Sequence, residues 1–153
     1  MDAASELVHG TCVALGRRAA LLRGPSGCGK PDLALRFLFL ARRGPAALQP
    51  PTLVADDQVR LRRDGARLLA RAPENLYGKL EVRGLGIVGV KALQEAELVL
   101  VADLVETREV ERLPEPAATV RLLGIDVPLM QLAPLEGSAA IKLVLALSSS
   151  GGG

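Results

Sequence analysis

The chain has no tryptophan, one tyrosine and two phenylalanines. Single-stranded nucleic acids are held largely by stacking on aromatic rings, and no such platform can be assembled here. A net charge of +2 is also too small for a surface that tracks a phosphate backbone. A nucleic-acid partner is therefore not expected. The same shortage means that any core must be built from Leu, Val, Ala and Ile.

Cysteine is scarce as well. Cys12 and Cys28 form neither a CxxC pair nor a metal-ligand cluster, and two thiols in an unstapled chain suit a reducing compartment. There is one histidine, His9, and a lone histidine is more often structural than catalytic. No apolar run approaches the roughly 18 residues needed to cross a bilayer. The first residues, Met1 to Glu6, are acidic and lack a signal-peptide apolar stretch. The expectation is a cytoplasmic protein with no membrane partner.

What is present is enough for one domain: 153 residues, 49% of them hydrophobic. Cys12–Leu15 and Ala19–Arg23 read as strands joined by a turn at Gly16. A glycine-rich loop follows. Leu33–Arg43 then reads as a helix whose apolar positions are too dense for a one-sided stripe, with Arg36 and Arg42 on its wet edge and Gly44-Pro45 as its stop. Thr52–Ala55 reads as a buried strand that runs into Asp56-Asp57. Val59–Arg62 and Arg67–Arg71 flank Asp64-Gly65, a hairpin signal. Leu80–Val82, Leu98–Leu104, Ala118–Leu122 and Val127–Leu132 read as further strands, with Pro114-Glu115-Pro116 as a break. Ala139–Leu147 fits a terminal helix, with a strand as the alternative. This order implies an α/β fold with a mixed sheet, in a single domain over 1–147. Residues 148–153, all Ser or Gly, are expected to form a disordered tail.

Gly24-Pro25-Ser26-Gly27-Cys28-Gly29-Lys30 fills the first seven positions of the phosphate-loop pattern G-x-x-x-x-G-K-[ST], between an apolar strand and an apolar helix. Glycines let successive backbone N–H groups turn toward one centre, where they and the helix N-terminus hold phosphate oxygens. Lys30 supplies a mobile positive charge. The eighth position breaks the pattern: Pro31 stands where Ser or Thr would offer a hydroxyl to Mg²⁺. Proline also removes a backbone N–H, although it suits the first turn of a helix. Losing one charge-assisted donor costs about 1.5–3 kcal/mol, or a ten- to hundredfold loss of binding.

A metal–phosphate site also needs carboxylates. Asp56 and Asp57 end a strand and, as neighbours, should point opposite ways and do different work. The string Leu80-Glu81-Val82-Arg83-Gly84-Leu85-Gly86-Ile87 adds a Glu, an Arg and two glycines that permit close backbone approach.

Together, His9-Gly10, Gly24–Lys30, Leu53–Asp57 and Leu80–Ile87 resemble the catalytic domain of HPr kinase/phosphorylase. Glu111-Arg112-Leu113 and Leu123–Pro128 match more loosely. The resemblance covers about Val8 to Leu147, and the short length resembles members that lack the separate amino-terminal domain. It implies a P-loop kinase-like α/β fold and an ATP- and Mg²⁺-dependent protein serine kinase acting on the phosphocarrier protein HPr. It implies that Gly24, Pro25, Ser26, Gly27, Cys28, Gly29 and Lys30 bind the donor's phosphates. Asp57 would be the base that deprotonates the acceptor serine, and Glu81 a metal ligand. His9, Lys30 and Arg112 fall at active-site positions, which for His9 reverses the reading of a lone histidine. Longer members resemble hexamers, so a homo-oligomer is an open expectation. Ala133–Ala139 carries no Arg where longer members have a basic segment associated with dephosphorylation, which argues against phosphorylase activity. The alternatives are a nucleotide-binding regulatory module that has lost catalysis, which Pro31 favours, and a small-molecule kinase, against which the lack of an Arg-rich lid counts.

Overall fold

Apolar residues pack both faces of one long strand, and the rest of the sheet is arranged around it. That strand is β9, Ala96–Leu104, and it pairs in parallel with β3, Arg18–Arg23. The computed structural model describes residues 4–40, 49–113 and 118–149. β2, Thr11–Leu15, lies antiparallel to β3 across a tight turn, and β4, Pro51–Ala55, pairs with the far side of β2. On the other side of β9 the sheet forks. Its first residues pair antiparallel with β6, Arg67–Arg71, and its last residues pair in parallel with β11, Ile125–Leu132. β5, Gln58–Asp64, forms the expected hairpin with β6, and β1, Ser5–His9, adds an edge strand to β5. β10, Thr119–Leu122, pairs with β11. β7, Lys79–Val82, and β8, Gly86–Gly89, make a separate two-stranded ribbon.

The strands are legible because their side chains alternate. Val13, Leu22, Leu53, Leu100 and Ala102 face the helices, while Cys12, Leu21, Val54 and Val101 face the other way. The first set packs against Leu33, Ala34 and Phe37 of α1, Lys30–Leu38, and against Ala139, Ala140, Leu143 and Leu147 of α2, Ala139–Ser149. The second set is covered by Val59, Leu61, Leu68, Ala70 and Val127, so the sheet curls over its own far face. The expected α/β fold with a mixed sheet is therefore what forms.

Four local expectations are corrected. Helix α1 ends at Leu38, not Arg43. It buries one stripe, Lys30, Leu33, Ala34 and Phe37, rather than most of its surface. Arg36 is not simply a wet edge. It bonds Asp32 one turn back, and its remaining N–H groups reach the carbonyls of Pro134 and Glu136, tying α1 to the start of α2. Helix α2 runs two residues past Leu147, so Ser148 and Ser149 belong to it rather than to a tail. Ser148 Oγ donates to the Val144 carbonyl. Arg42, the Gly44-Pro45 stop, Pro114–Pro116 and 150–153 lie outside the described residues.

Candidate active site

The loop from Gly24 to Gly29 leaves the end of β3 and enters α1 in one turn. Gly27 and Gly29 adopt φ values of 84° and 109°, a region in which an L side chain is strained. A Cβ on Gly24 would meet Cys28 Sγ at 2.6 Å. The Gly29 N-cap supplies no side-chain hydrogen bond, so the first N–H groups of α1 depend on an outside acceptor or on solvent. Pro31 sits in the first turn, as its fixed φ favours.

Lys30 is buried, with only 4% of its surface exposed. Its Nζ donates to the Gly24 carbonyl at 2.6 Å and the Pro25 carbonyl at 3.1 Å, and lies 3.9 Å from Cys28 Sγ. Its charge is held over the loop rather than swinging free. Arg23, just before the loop, makes a two-point ion pair with Asp103 on β9, at 2.7 and 3.0 Å. That pair pins the two parallel strands at the point where the loop departs. Sequence reasoning passes over both Arg23 and Asp103. The signal available is an acid near the end of a strongly apolar strand, at the strand end where α/β sheets bind ligands.

Cys28 is half-buried, whereas Cys12 is fully buried and burial pushes its thiol well above the ordinary range. Only the thiolate reacts. Iodoacetamide should therefore modify Cys28 and leave Cys12 untouched in the folded protein, as read by peptide mass spectrometry. Labelling of Cys12 at a comparable rate would contradict this placement.

The two aspartates after β4 divide as their opposite directions require. Asp56 is buried, accepting from Thr11 Oγ1 at 3.0 Å and from the Glu81 backbone N–H at 3.3 Å. It joins the end of β4 to β7 and so sets where Glu81 stands. Asp57 is exposed and has φ 72°, a conformation that costs a non-glycine residue about 1 kcal/mol or more. Its carboxylate lies 3.5 Å from His9 Nδ1, at the end of β1.

A groove of about 660 Å³ runs between α1 and the ribbon of β7 and β8. Gly27, Gly29, Pro31 and Asp32 form one wall; Glu81, Val82, Arg83, Gly84 and Gly86 form the other. Pro31 and Glu81 thus face the same space. Among the described residues no group of three or more His, Cys, Asp or Glu side chains is gathered as a metal cage. Arg112 is exposed after a short turn at Thr107–Glu109 and does not line the groove. The geometry brings Pro31 and Glu81 to one groove, holds Lys30 against the loop's first carbonyls, places His9 beside Asp57, and leaves Lys30, His9, Asp57 and Arg112 outside the groove lining.

Comparison with known proteins follows the same outline. The family model of the HPr Serine kinase C-terminal domain matches residues 2–148. The HPr kinase/phosphorylase of Chlorobium luteolum is 38% identical over an alignment of 141 positions that covers 84% of this chain and 40% of that one. The HPr kinase/phosphorylase of Chlorobaculum tepidum is 36% identical over an alignment of 154 positions, gaps included, that covers 92% of this chain and 42% of that one. The solved structure of the Hpr(Ser) kinase/phosphatase from Coxiella burnetii matches with a TM-score of 0.72 at 22% identity, over 92% of this chain and 86% of that one. This last match bears on the fold alone. The chain spans about two fifths of the length of the curated relatives it matches.

Proposed function

From the premise that the chain belongs to the HPr serine kinase C-terminal domain family, we propose that it transfers the terminal phosphoryl group of ATP to a serine of HPr. The observation that carries the reading is the shared groove. Gly27 and Gly29 of the phosphate loop form one wall with the start of α1, and Glu81 stands on the other. The residues fit a nucleotide: the uncapped start of α1 and the open backbone at Gly27 offer donors to phosphate oxygens. They also fit Mg²⁺, which commonly rests on one or two carboxylates plus substrate phosphates rather than on a protein cage. Bound there, the metal would neutralise charge on the phosphates.

The chain's own groups supply the rest. Gly24 to Lys30 bind and orient the donor. Lys30, held at the Gly24 and Pro25 carbonyls, stabilises negative charge on the phosphates. Asp57 accepts the serine proton, and His9 holds the Asp57 carboxylate in place. Asp56 acts through others, keeping Glu81 in register with the loop. Arg112 enters this reading only in the complex with the acceptor.

Pro31 favours a second reading, a nucleotide-binding regulatory module without transfer. Incubation with Mg²⁺-ATP and purified HPr separates the two, with Pro31→Ser alongside. Restoring the hydroxyl and the N–H opposite Glu81 should tighten Mg²⁺-ATP by about ten- to a hundredfold in calorimetry and raise the transfer rate. If binding tightens but HPr stays unmodified in both proteins, the regulatory module is the better reading. Unchanged binding would mean that position 31 does not face the metal.

A further inference from the structure

The outward face of the three-stranded edge carries a charge arrangement that the site above does not use. Across β1, β5 and β6, Leu7 pairs with Arg60 and Arg60 pairs with Arg71. Side chains of directly opposed residues share one face, so two arginine side chains leave the sheet there as neighbours. Like charges in that position destabilise a sheet. Their neighbours are neutralised: Arg62 pairs with Glu95 and Arg67 with Asp64. Arg60 and Arg71 make no ion pair or hydrogen bond with any described residue. Arg71 also borders a hollow of about 410 Å³ shared with Tyr77, Gln94 and Glu74. Glu74 is the acidic group there, and it forms no ion pair with Arg71.

The same face leads to the reacting end of the molecule. His9 pairs with Gln58 on the same two strands, two positions from Arg60. Arg60 is three residues from Asp57, so their backbones lie no more than roughly 10 Å apart. A specific protein interface covers about 800 Å² per partner, a disc roughly 16 Å in radius. A protein that presents a hydroxyl to Asp57 must therefore extend over Arg60 and reach toward Arg71.

We infer that the Arg60–Arg71 face docks the protein acceptor, and that the acceptor meets it with carboxylates about 10 Å from its reacting hydroxyl. Unpaired arginines beside exposed Leu7 and Tyr77 suit an interface, where arginine and aromatic residues are enriched. The cross-strand repulsion in the free protein is relieved by the partner's acids. This inference rests on the kinase reading, since it places the acceptor of that reaction.

The test is steady-state transfer to HPr by the full chain carrying Arg60→Glu or Arg71→Glu, at two salt concentrations. Either reversal creates a cross-strand ion pair, so the fold should hold; thermal melting checks this. The KM for HPr should rise about tenfold and lose most of its salt dependence, while ATP affinity stays at the parental value. Arg60→Gln should show the same direction with a smaller change. Parental KM and salt dependence in folded variants, with active parent protein, would overturn the docking face and leave the kinase reading standing. So would a changed oligomeric mass at parental KM, which would assign the face to a second copy of this chain. A parent that transfers nothing to HPr would remove both.

Discussion

Asp57→Asn should lower phosphoryl transfer to HPr by roughly 10²- to 10⁴-fold while leaving ATP affinity near the parental value. The substitution isolates one property. Asp57 has φ 72°, and asparagine is among the few non-glycine residues that enter that left-handed conformation readily. The backbone should therefore stay where it is. What disappears is the capacity to accept a proton, because an amide oxygen cannot take it and keep it. The exposed carboxylate is reachable by a partner's hydroxyl, whereas Asp56 already accepts from Thr11 Oγ1 and the Glu81 N–H. Rapid-quench measurement of transfer together with calorimetry of ATP binding decides the matter. Transfer at the parental rate would show that another group takes the proton.

Lys30→Ala should weaken ATP binding by about ten- to a hundredfold, the equivalent of losing a charge-assisted contact worth about 1.5–3 kcal/mol. It should also loosen the loop. The Gly24 and Pro25 carbonyls, which now accept from Lys30 Nζ at 2.6 and 3.1 Å, would lose that donor. Lys30→Arg should not restore binding, since a planar fork cannot replace a compact ammonium in that space. Calorimetry gives the affinity and thermal melting reports the loop. ATP affinity equal to the parent in a folded Lys30→Ala protein would mean that the cation does not face the nucleotide.

Much of this site is legible in the sequence because its signals are local. Seven consecutive residues define the phosphate loop, and the expectation that Asp56 and Asp57 point different ways agrees with one being buried and the other exposed. The Asp64-Gly65 hairpin forms as its turn chemistry requires. The failures are equally physical. Edge strand β1 escapes sequence reasoning because four of its five residues are exposed, so it carries no buried alternation to read. Helix α1 reads too long because the apolar residues after Leu38 continue the pattern, although Phe39 is 72% exposed. The Arg23–Asp103 pair joins positions 80 residues apart, and nothing in the order of residues announces such a meeting.

That separation also governs how the chain assembles. The phosphate loop is short and local, yet the strand that launches it, β3, gains its parallel partner β9 only after the chain between them has been drawn back. Closing a long segment costs entropy before any contact offsets it, and proteins rich in such distant pairings reach their native state slowly. β9 then serves β6 with its first half and β11 with its second. In the finished sheet it joins the hairpin of β5 and β6, the carboxy-terminal strand β11 and the root of the loop. A nascent chain released before Ala96–Leu104 has emerged would carry the complete phosphate-loop sequence on an unpaired, strongly apolar strand edge, open to association with its neighbours.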